Sequence, residues 1–118
     1  MDHAGKHLLL DLYHCQFDLT HEEIRTKLAD ICRQIGATVL QEYSHLFNNG
    51  GSSGAIVLAE SHCTWHYWID EKYLALDIFT CGESNPEDAI DMILEMFVPW
   101  SYNAKMELRG KGYLEPAL

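Results

Sequence analysis

Thirty positions, from residue 53 to residue 82, contain two serines, two histidines, two cysteines and two tryptophans. Three kinds of chemistry could use such a set of side chains: metal binding, hydrolysis by a serine and a histidine, and catalysis by a cysteine nucleophile. Each of them requires side chains that converge on one point. The elements that hold these residues therefore decide which chemistry is possible.

The strand pattern disfavours a zinc site. The alternating run over residues 62–69 predicts a strand, in which the adjacent His62 and Cys63 point to opposite faces. His62 and His66 share a face, but they lie roughly 13 Å apart at the rise of a strand. Because no compact group of ligands results, we expect no metal in this segment.

A simple serine hydrolase is disfavoured as well. Ser61 lies between a glutamate and a histidine and lacks the glycines of a nucleophile elbow. In one unbroken strand, Ser61 and His66 would face opposite sides, so they could meet only if the chain bends, breaks or uses a partner from another subunit. Cys81 could be reactive, but a free cysteine is often just a small buried apolar residue.

The elements around these residues predict the fold class. Thr20 and Glu23 form a capping box that begins a helix ending near Gly36, and Asn85 and Pro86 begin a second helix. Alternating or apolar runs predict strands over residues 7–15, 38–43, 55–59, 62–69, 73–81 and 104–109. This order predicts an α+β two-layer sandwich, with a mainly antiparallel sheet and the helices on one face.

Three segments carry further expectations. The glycine-rich run over residues 48–54 predicts a loop. The continuously apolar run over residues 55–59 is typical of a strand covered on both faces. The tail after Gly112 is expected to lie loose.

Composition limits the function further. The 118 residues suit one domain, and a formal charge of −10 argues against nucleic acid and against an anionic membrane as partners. The same charge would attract a cationic small substrate. The chain has no visible signal sequence and no apolar run long enough to span a membrane, so we expect a cytoplasmic protein with its four cysteines reduced.

Taken together, the motifs of this segment resemble those of the short prokaryotic, pyruvoyl-dependent type of S-adenosylmethionine decarboxylase, which is made as a proenzyme. The resemblance covers most of the chain and needs no gap. The matching positions are Ser53-Gly54, Glu60-Ser61-His62, His66, and the run Asp77-Ile-Phe-Thr-Cys-Gly82.

The resemblance implies a chain that cuts itself between Glu60 and Ser61, giving fragments 1–60 and 61–118. Ser61 would attack the carbonyl of Glu60 and finally become a pyruvoyl group, the protein's own cofactor, which forms a Schiff base with the substrate amine. Ser53 would stabilise the intermediate and His66 would be the base. Cleavage would free residue 61 to swing toward His66.

On the substrate side, the resemblance makes Cys81 the acid that protonates the product. It also implies that Phe47 stacks on adenine, and that Trp68 and Asp70 help to bind the substrate in a homodimer with sites at its interface. Proline and glutamate of the usual motif are replaced here by Ile69 and Asp70.

Three functions follow from this resemblance. The first is decarboxylation of S-adenosylmethionine, which supplies aminopropyl groups for spermidine and other polyamines. The second keeps the pyruvoyl cofactor but acts on arginine or ornithine. The third is an uncleaved, non-catalytic homologue that only binds a small molecule or a partner, although such a protein would have no physical need for Ser61, His66 and Cys81 together.

Overall fold

The computed structural model describes residues 3–111. They form one six-stranded antiparallel sheet, ordered β2-β3-β4-β5-β1-β6, with helices packed on one face. The predicted α+β two-layer sandwich is confirmed. The strands are β1 (Gly5–Tyr13), β2 (Val39–Leu46), β3 (Ser52–Leu58), β4 (Ser61–Trp68), β5 (Tyr73–Cys81) and β6 (Ser101–Arg109), and the helices are α1 (His21–Gln34) and α2 (Ile90–Phe97).

Helix α1 begins as the sequence predicts. The Thr20 hydroxyl accepts a hydrogen bond from the Glu23 backbone amide, and the Glu23 carboxylate accepts one from the Thr20 amide. These two bonds satisfy backbone donors that no helical carbonyl can reach. The helix ends before Gly36, whose φ of 93° favours glycine.

The second helix begins later than predicted. Asn85 does accept a hydrogen bond from the amide of Glu87, but it caps a short 3-10 segment, Pro86–Ala89. The α-helix α2 follows from Ile90. Proline at the first position fits either helix type, so the sequence did not distinguish them.

The core lies between the helices and the sheet, and Trp65 of β4 is its largest fully buried side chain. Gly54, on the neighbouring strand β3, lies directly under the indole. A Cβ atom at residue 54 would come within 2.0 Å of the Trp65 ring. Glycine is therefore required for close contact between β3 and this tryptophan.

Strand β3 departs from two expectations. It begins at Ser52, so Ser53 belongs to the β-ladder and not to the preceding loop. The strand is also covered on one face only, because the side chain of Val57 is 45% exposed. An apolar run alone could not tell whether the second face is covered by a helix of the same chain or by another molecule.

The other strands differ from prediction mainly at their ends, where β2 extends to Leu46 and β6 begins at Ser101. The predicted tail after Gly112 lies outside the described residues. Within residues 3–111, no helix is long and apolar enough to cross a membrane.

The open face is the side of the sheet opposite the helices. It carries Leu9, Tyr13, Tyr43, Val57 and Trp68, each of which is between 38% and 64% exposed. These side chains lie across β1, β2, β3 and β4, so the open face is an extended, partly apolar surface. The polar residues described next lie among them.

Candidate active site

Ser61 lies at a tight hairpin turn. Leu58 and Ser61 pair across β3 and β4, and only residues 59 and 60 connect them. Glu60 has a φ of 63°, a left-handed conformation that is unfavourable for a residue with a Cβ atom. The peptide bond predicted to be cut therefore directly follows a strained residue.

Cys81 contacts this turn directly. Its thiol donates a hydrogen bond to the carbonyl oxygen of Glu60 at 3.0 Å. Two features place it there: the pairing of His62 with Phe79 brings the end of β5 opposite the hairpin, and Gly82 then turns the chain away with a φ of 69°. The thiol thus reaches the carbonyl group at which cleavage would begin.

His66 and Ser53 lie at the other end of the same strands. They pair with each other across β3 and β4, on the open face. Four residues of unbroken strand lie between Ser61 and His66, which places the two about 16 Å apart. The predicted swing of residue 61 would therefore have to cover about 16 Å to reach His66 of its own chain.

Two of the three predicted substrate-binding residues, Phe47 and Trp68, line the same cleft as His66. A cleft of about 440 Å³ is lined by Phe47, Asn48, Asn49, Gly51, Ser52, His66, Tyr67 and Trp68. Trp68 stacks on Tyr73 with ring centres 5.1 Å apart, which fixes the indole at the rim. Asp70 lies exposed in the turn after β4 and is not among the lining residues.

Asp77 is the centre of a polar cluster on the open face. Its Oδ2 accepts hydrogen bonds from Nε2 of His7 at 2.6 Å and from Nε2 of His62 at 3.2 Å, while Thr64 donates to Oδ1. Burial acts to raise the pKa of the Asp77 carboxyl. The hydrogen bonds from Thr64 and His7 and the charge of His62 outweigh it, so the pKa lies below its ordinary value.

The donor atoms of His7, His62 and Asp77 lie within 4.8 Å of one another, a spacing that could hold a metal ion. The surroundings of His7 disfavour that use. Nδ1 of His7 lies 3.1 Å from Nη1 of Arg109, and a guanidinium can only donate. The ring proton of His7 must therefore be on Nε2, directed at Asp77, whereas a metal ligand would need Nε2 unprotonated.

Arg109 also lies over a second cleft, of about 380 Å³, at the Ser61 end of the sheet. Its guanidinium carbon is 5.9 Å from the centre of the Phe79 ring. His62 stacks on the same ring at 5.7 Å. The cleft is lined by Glu60, Ser61, His62, Phe79, Arg109 and Gly110.

Sequence reasoning missed His7 and Arg109 as residues of this site. His7 is 70 residues from Asp77 along the chain, and Arg109 is 102 residues from His7. The side-chain alternation of β1 and β6 could have placed both residues on one face. Only the order of the strands brings them next to β5.

Comparison with known proteins gives a consistent family. Residues 6–110 match the family model for S-adenosylmethionine decarboxylase. The chain is 40% identical over 106 residues to an S-adenosylmethionine decarboxylase proenzyme of Methanococcus aeolicus, covering 87% of this chain and 91% of that protein. It is 34% identical over 113 residues to a proenzyme of the same name from Syntrophomonas wolfei, covering 93% and 90%.

Solved structures agree with these matches. The crystal structure of the adenosylmethionine decarboxylase from Aquifex aeolicus superposes with a TM-score of 0.82 at 26% identity, covering 92% of each chain. The Trypanosoma brucei AdoMetDC-delta26 monomer shares the fold, with a TM-score of 0.64 at 15% identity over 84% of this chain and 44% of that chain.

Proposed function

This chain belongs to the S-adenosylmethionine decarboxylase family, and we propose that it cuts itself between Glu60 and Ser61 and then decarboxylates S-adenosylmethionine. The product would be the aminopropyl donor for spermidine and other polyamines. The observation that carries the proposal is the contact between the Cys81 thiol and the Glu60 carbonyl oxygen, 3.0 Å long, at a turn that ends in Ser61.

Cleavage would begin when the Ser61 hydroxyl adds to the carbonyl carbon of Glu60 and its proton passes to a base. Negative charge then develops on the carbonyl oxygen, where the Cys81 thiol already donates a hydrogen bond. The peptide nitrogen leaves, and an ester joins the two residues. Elimination then breaks the ester bond and releases the Glu60 carboxylate. Hydrolysis at the α-carbon of residue 61 releases its nitrogen as ammonia and leaves a ketone, so that fragments 1–60 and 61–118 result.

The residues at this turn fit a pyruvoyl group derived from Ser61. Residue 61 would be a chain end beside a cleft, next to a thiol that can give a proton to a substrate carbon. Once formed, a pyruvoyl group would supply a ketone that binds the substrate α-amine and accepts the electron pair left on the α-carbon when carbon dioxide departs. Cys81 would then protonate the α-carbon of the substrate, as the resemblance implies, in addition to its hydrogen bond to Glu60 during cleavage.

The base for cleavage would come from a second copy of the chain. His66 and Ser53 lie about 16 Å from Ser61 in their own chain. Each protomer would therefore contribute Ser61 to one shared site, and His66 with Ser53 to the other. A two-fold axis that runs across the strands, with two open faces in contact, reverses the partner's strand direction. Ser61 lines a cleft together with His62 and Phe79 of the open face, so it would then lie next to His66 of the partner subunit.

The open face supports this homodimer. It presents five large, partly exposed apolar side chains, and face-to-face packing of sheets is a common way to bury such a surface. In that arrangement the cleft with Phe47 and Trp68 would lie next to Ser61 of the other copy and hold the adenosyl group. Asp70, exposed in the turn after β4, would act from the rim of the cleft.

The substrate is S-adenosylmethionine rather than a simple basic amino acid, since the relatives described above all have adenosylmethionine decarboxylase in their names. Arginine and ornithine are therefore the alternative substrates to be compared in the decarboxylation assay. The cytoplasmic location inferred from the sequence stays a prediction.

Mass spectrometry under denaturing conditions tests the proposal. The purified protein should give two fragments that match residues 1–60 and 61–118, with the second resistant to N-terminal sequencing. Carbon dioxide release should be measured from S-adenosylmethionine, arginine and ornithine side by side. An intact chain, or release from arginine or ornithine alone, would contradict the proposal.

A further inference from the structure

We propose that Arg109 receives the α-carboxylate of the substrate, and that His7 and Asp77 are positioning residues for its guanidinium. This inference deepens the proposed function and rests on it. It gives a role to a polar cluster that the cleavage chemistry leaves unused.

The position of the carboxylate follows from that of the amine. The α-amine must reach residue 61, and the carboxylate is bonded to the same carbon as the amine. It must therefore enter the cleft that Ser61 lines, together with Phe79 and Arg109. Among the residues that line this cleft, Arg109 is the permanent cation.

Arg109 keeps N–H groups available for such a carboxylate. The hydrogen bond and charge of Lys105 lower the pKa of the neighbouring Glu107, and the charge of Arg109 lowers it further. Within residues 3–111, no ion pair joins it to a carboxylate, whereas Lys105 on the same strand is paired with Glu107 at 2.9 Å. One guanidinium nitrogen contacts Nδ1 of His7, and the plane lies over the Phe79 ring. The remaining N–H groups can form the two parallel hydrogen bonds that a carboxylate prefers.

The cluster explains how Arg109 is held. Oδ2 of Asp77 accepts a hydrogen bond from the Nε2–H group of His7, with 2.6 Å between the two atoms. With its proton on Nε2, the ring has a lone pair on Nδ1. That lone pair accepts a hydrogen bond from Arg109. Two successive hydrogen bonds, from Arg109 to His7 and from His7 to Asp77, thus orient the guanidinium of Arg109. The His7 ring between them is held in one tautomer.

Charge gives the arrangement a purpose. The protein carries a formal charge of −10, which attracts the sulfonium and ammonium groups of the substrate but repels its carboxylate. The Arg109 guanidinium would offset this repulsion by attracting the carboxylate at the position where it binds. Because the carboxylate leaves as neutral carbon dioxide, the contact disappears in the product, which favours release.

Binding of two unreactive analogues tests the assignment by calorimetry on the cleaved enzyme. Both are 5′-thioadenosines without an α-amine; one carries a carboxypropyl chain on sulfur and the other a propyl chain. The wild-type protein should bind the carboxylate analogue more tightly. Arg109→Gln should lower that affinity by at least about tenfold and leave the propyl analogue unchanged, because only charge-assisted hydrogen bonds are lost.

The positioning role of Asp77 is tested with the same pair of analogues. Asp77→Asn should reduce the preference for the carboxylate analogue by less than Arg109→Gln does, and Arg109→Lys should fall between wild type and Arg109→Gln because it keeps the charge without the fork. With S-adenosylmethionine, Arg109→Gln should raise KM more than it lowers kcat. Lys27→Gln, which removes an exposed cation from helix α1 on the other face of the sheet, is the control and should change neither KM nor kcat.

Three results would overturn the inference: equal binding of the two analogues by wild type, equal losses for both analogues in Arg109→Gln, or a block of chain cleavage in Arg109→Gln, which would place the residue in cleavage. The proposed function fails in a different way, since the wild-type protein itself would then remain uncut or release no carbon dioxide from S-adenosylmethionine.

Discussion

A mixture of two inactive variants should recover cleavage if the active site is shared between two chains. Ser61→Ala removes the residue that is cut, and His66→Ala removes the proposed base. In a mixed dimer, the His66→Ala chain keeps Ser61 and faces His66 of the Ser61→Ala partner, so one of the two sites is complete. The other site lacks both groups.

The structure sets the expected size of the effect. Ser61 and His66 of one chain are separated by about 16 Å of β-ladder, too far for direct proton transfer. Random assembly of the two variants in equal amounts makes about half of the dimers mixed, so about a quarter of all chains should be cut. All of the cut chains should be of the His66→Ala type.

The assay is co-expression with tags of different mass, followed by denaturing mass spectrometry. Each variant expressed alone should stay near full length, and purification through both tags shows that mixed dimers exist. If mixed dimers form and the His66→Ala chain remains uncut, then Ser61 and His66 do not act across the interface, and the reasoning from strand geometry is wrong.

Further predictions concern single residues. Cys81→Ala should slow chain cleavage about tenfold or more in a time course on freshly made precursor, whereas Cys81→Ser should cleave at a near-normal rate, because the hydroxyl also donates to Glu60; equal rates for all three proteins would contradict this. The pKa of Asp77 is lower in the folded state, so its stabilising effect is present above the ordinary carboxyl pKa and is lost as the pH falls through the folded value. Urea unfolding of Asp77→Asn should accordingly differ most from wild type near neutral pH and converge with it in strong acid; a constant difference would contradict this. Gly54→Ala should cost about 1–3 kcal/mol in the same urea assay, because its Cβ would overlap Trp65; an unchanged midpoint would show that the strand can shift without cost.

Local signals were sufficient for most of the fold. The capping box at Thr20 and the alternation of β5 depend on neighbours within a few residues, and both are confirmed. The start of β3 was missed because glycine and serine are common both in loops and in strands that approach a large ring. Gly54 pairs with Trp65 and leaves room for its ring, so the ladder between β3 and β4 continues through Gly54 to Ser53. This contact joins residues that are far apart in the chain.

The types and spacing of Ser61, His66 and Cys81 were enough to predict the proposed chemistry, because their side chains can react and their spacing resembles that of the family. Which of these side chains lie close together depends on the fold. A strand is rigid and rises by a fixed amount per residue, so Ser61 and His66 stay apart although they are close in sequence. The antiparallel pairing of β4 with β5 brings Cys81 to Glu60, and the order of the strands brings Arg109 and His7 to Asp77 across most of the chain length.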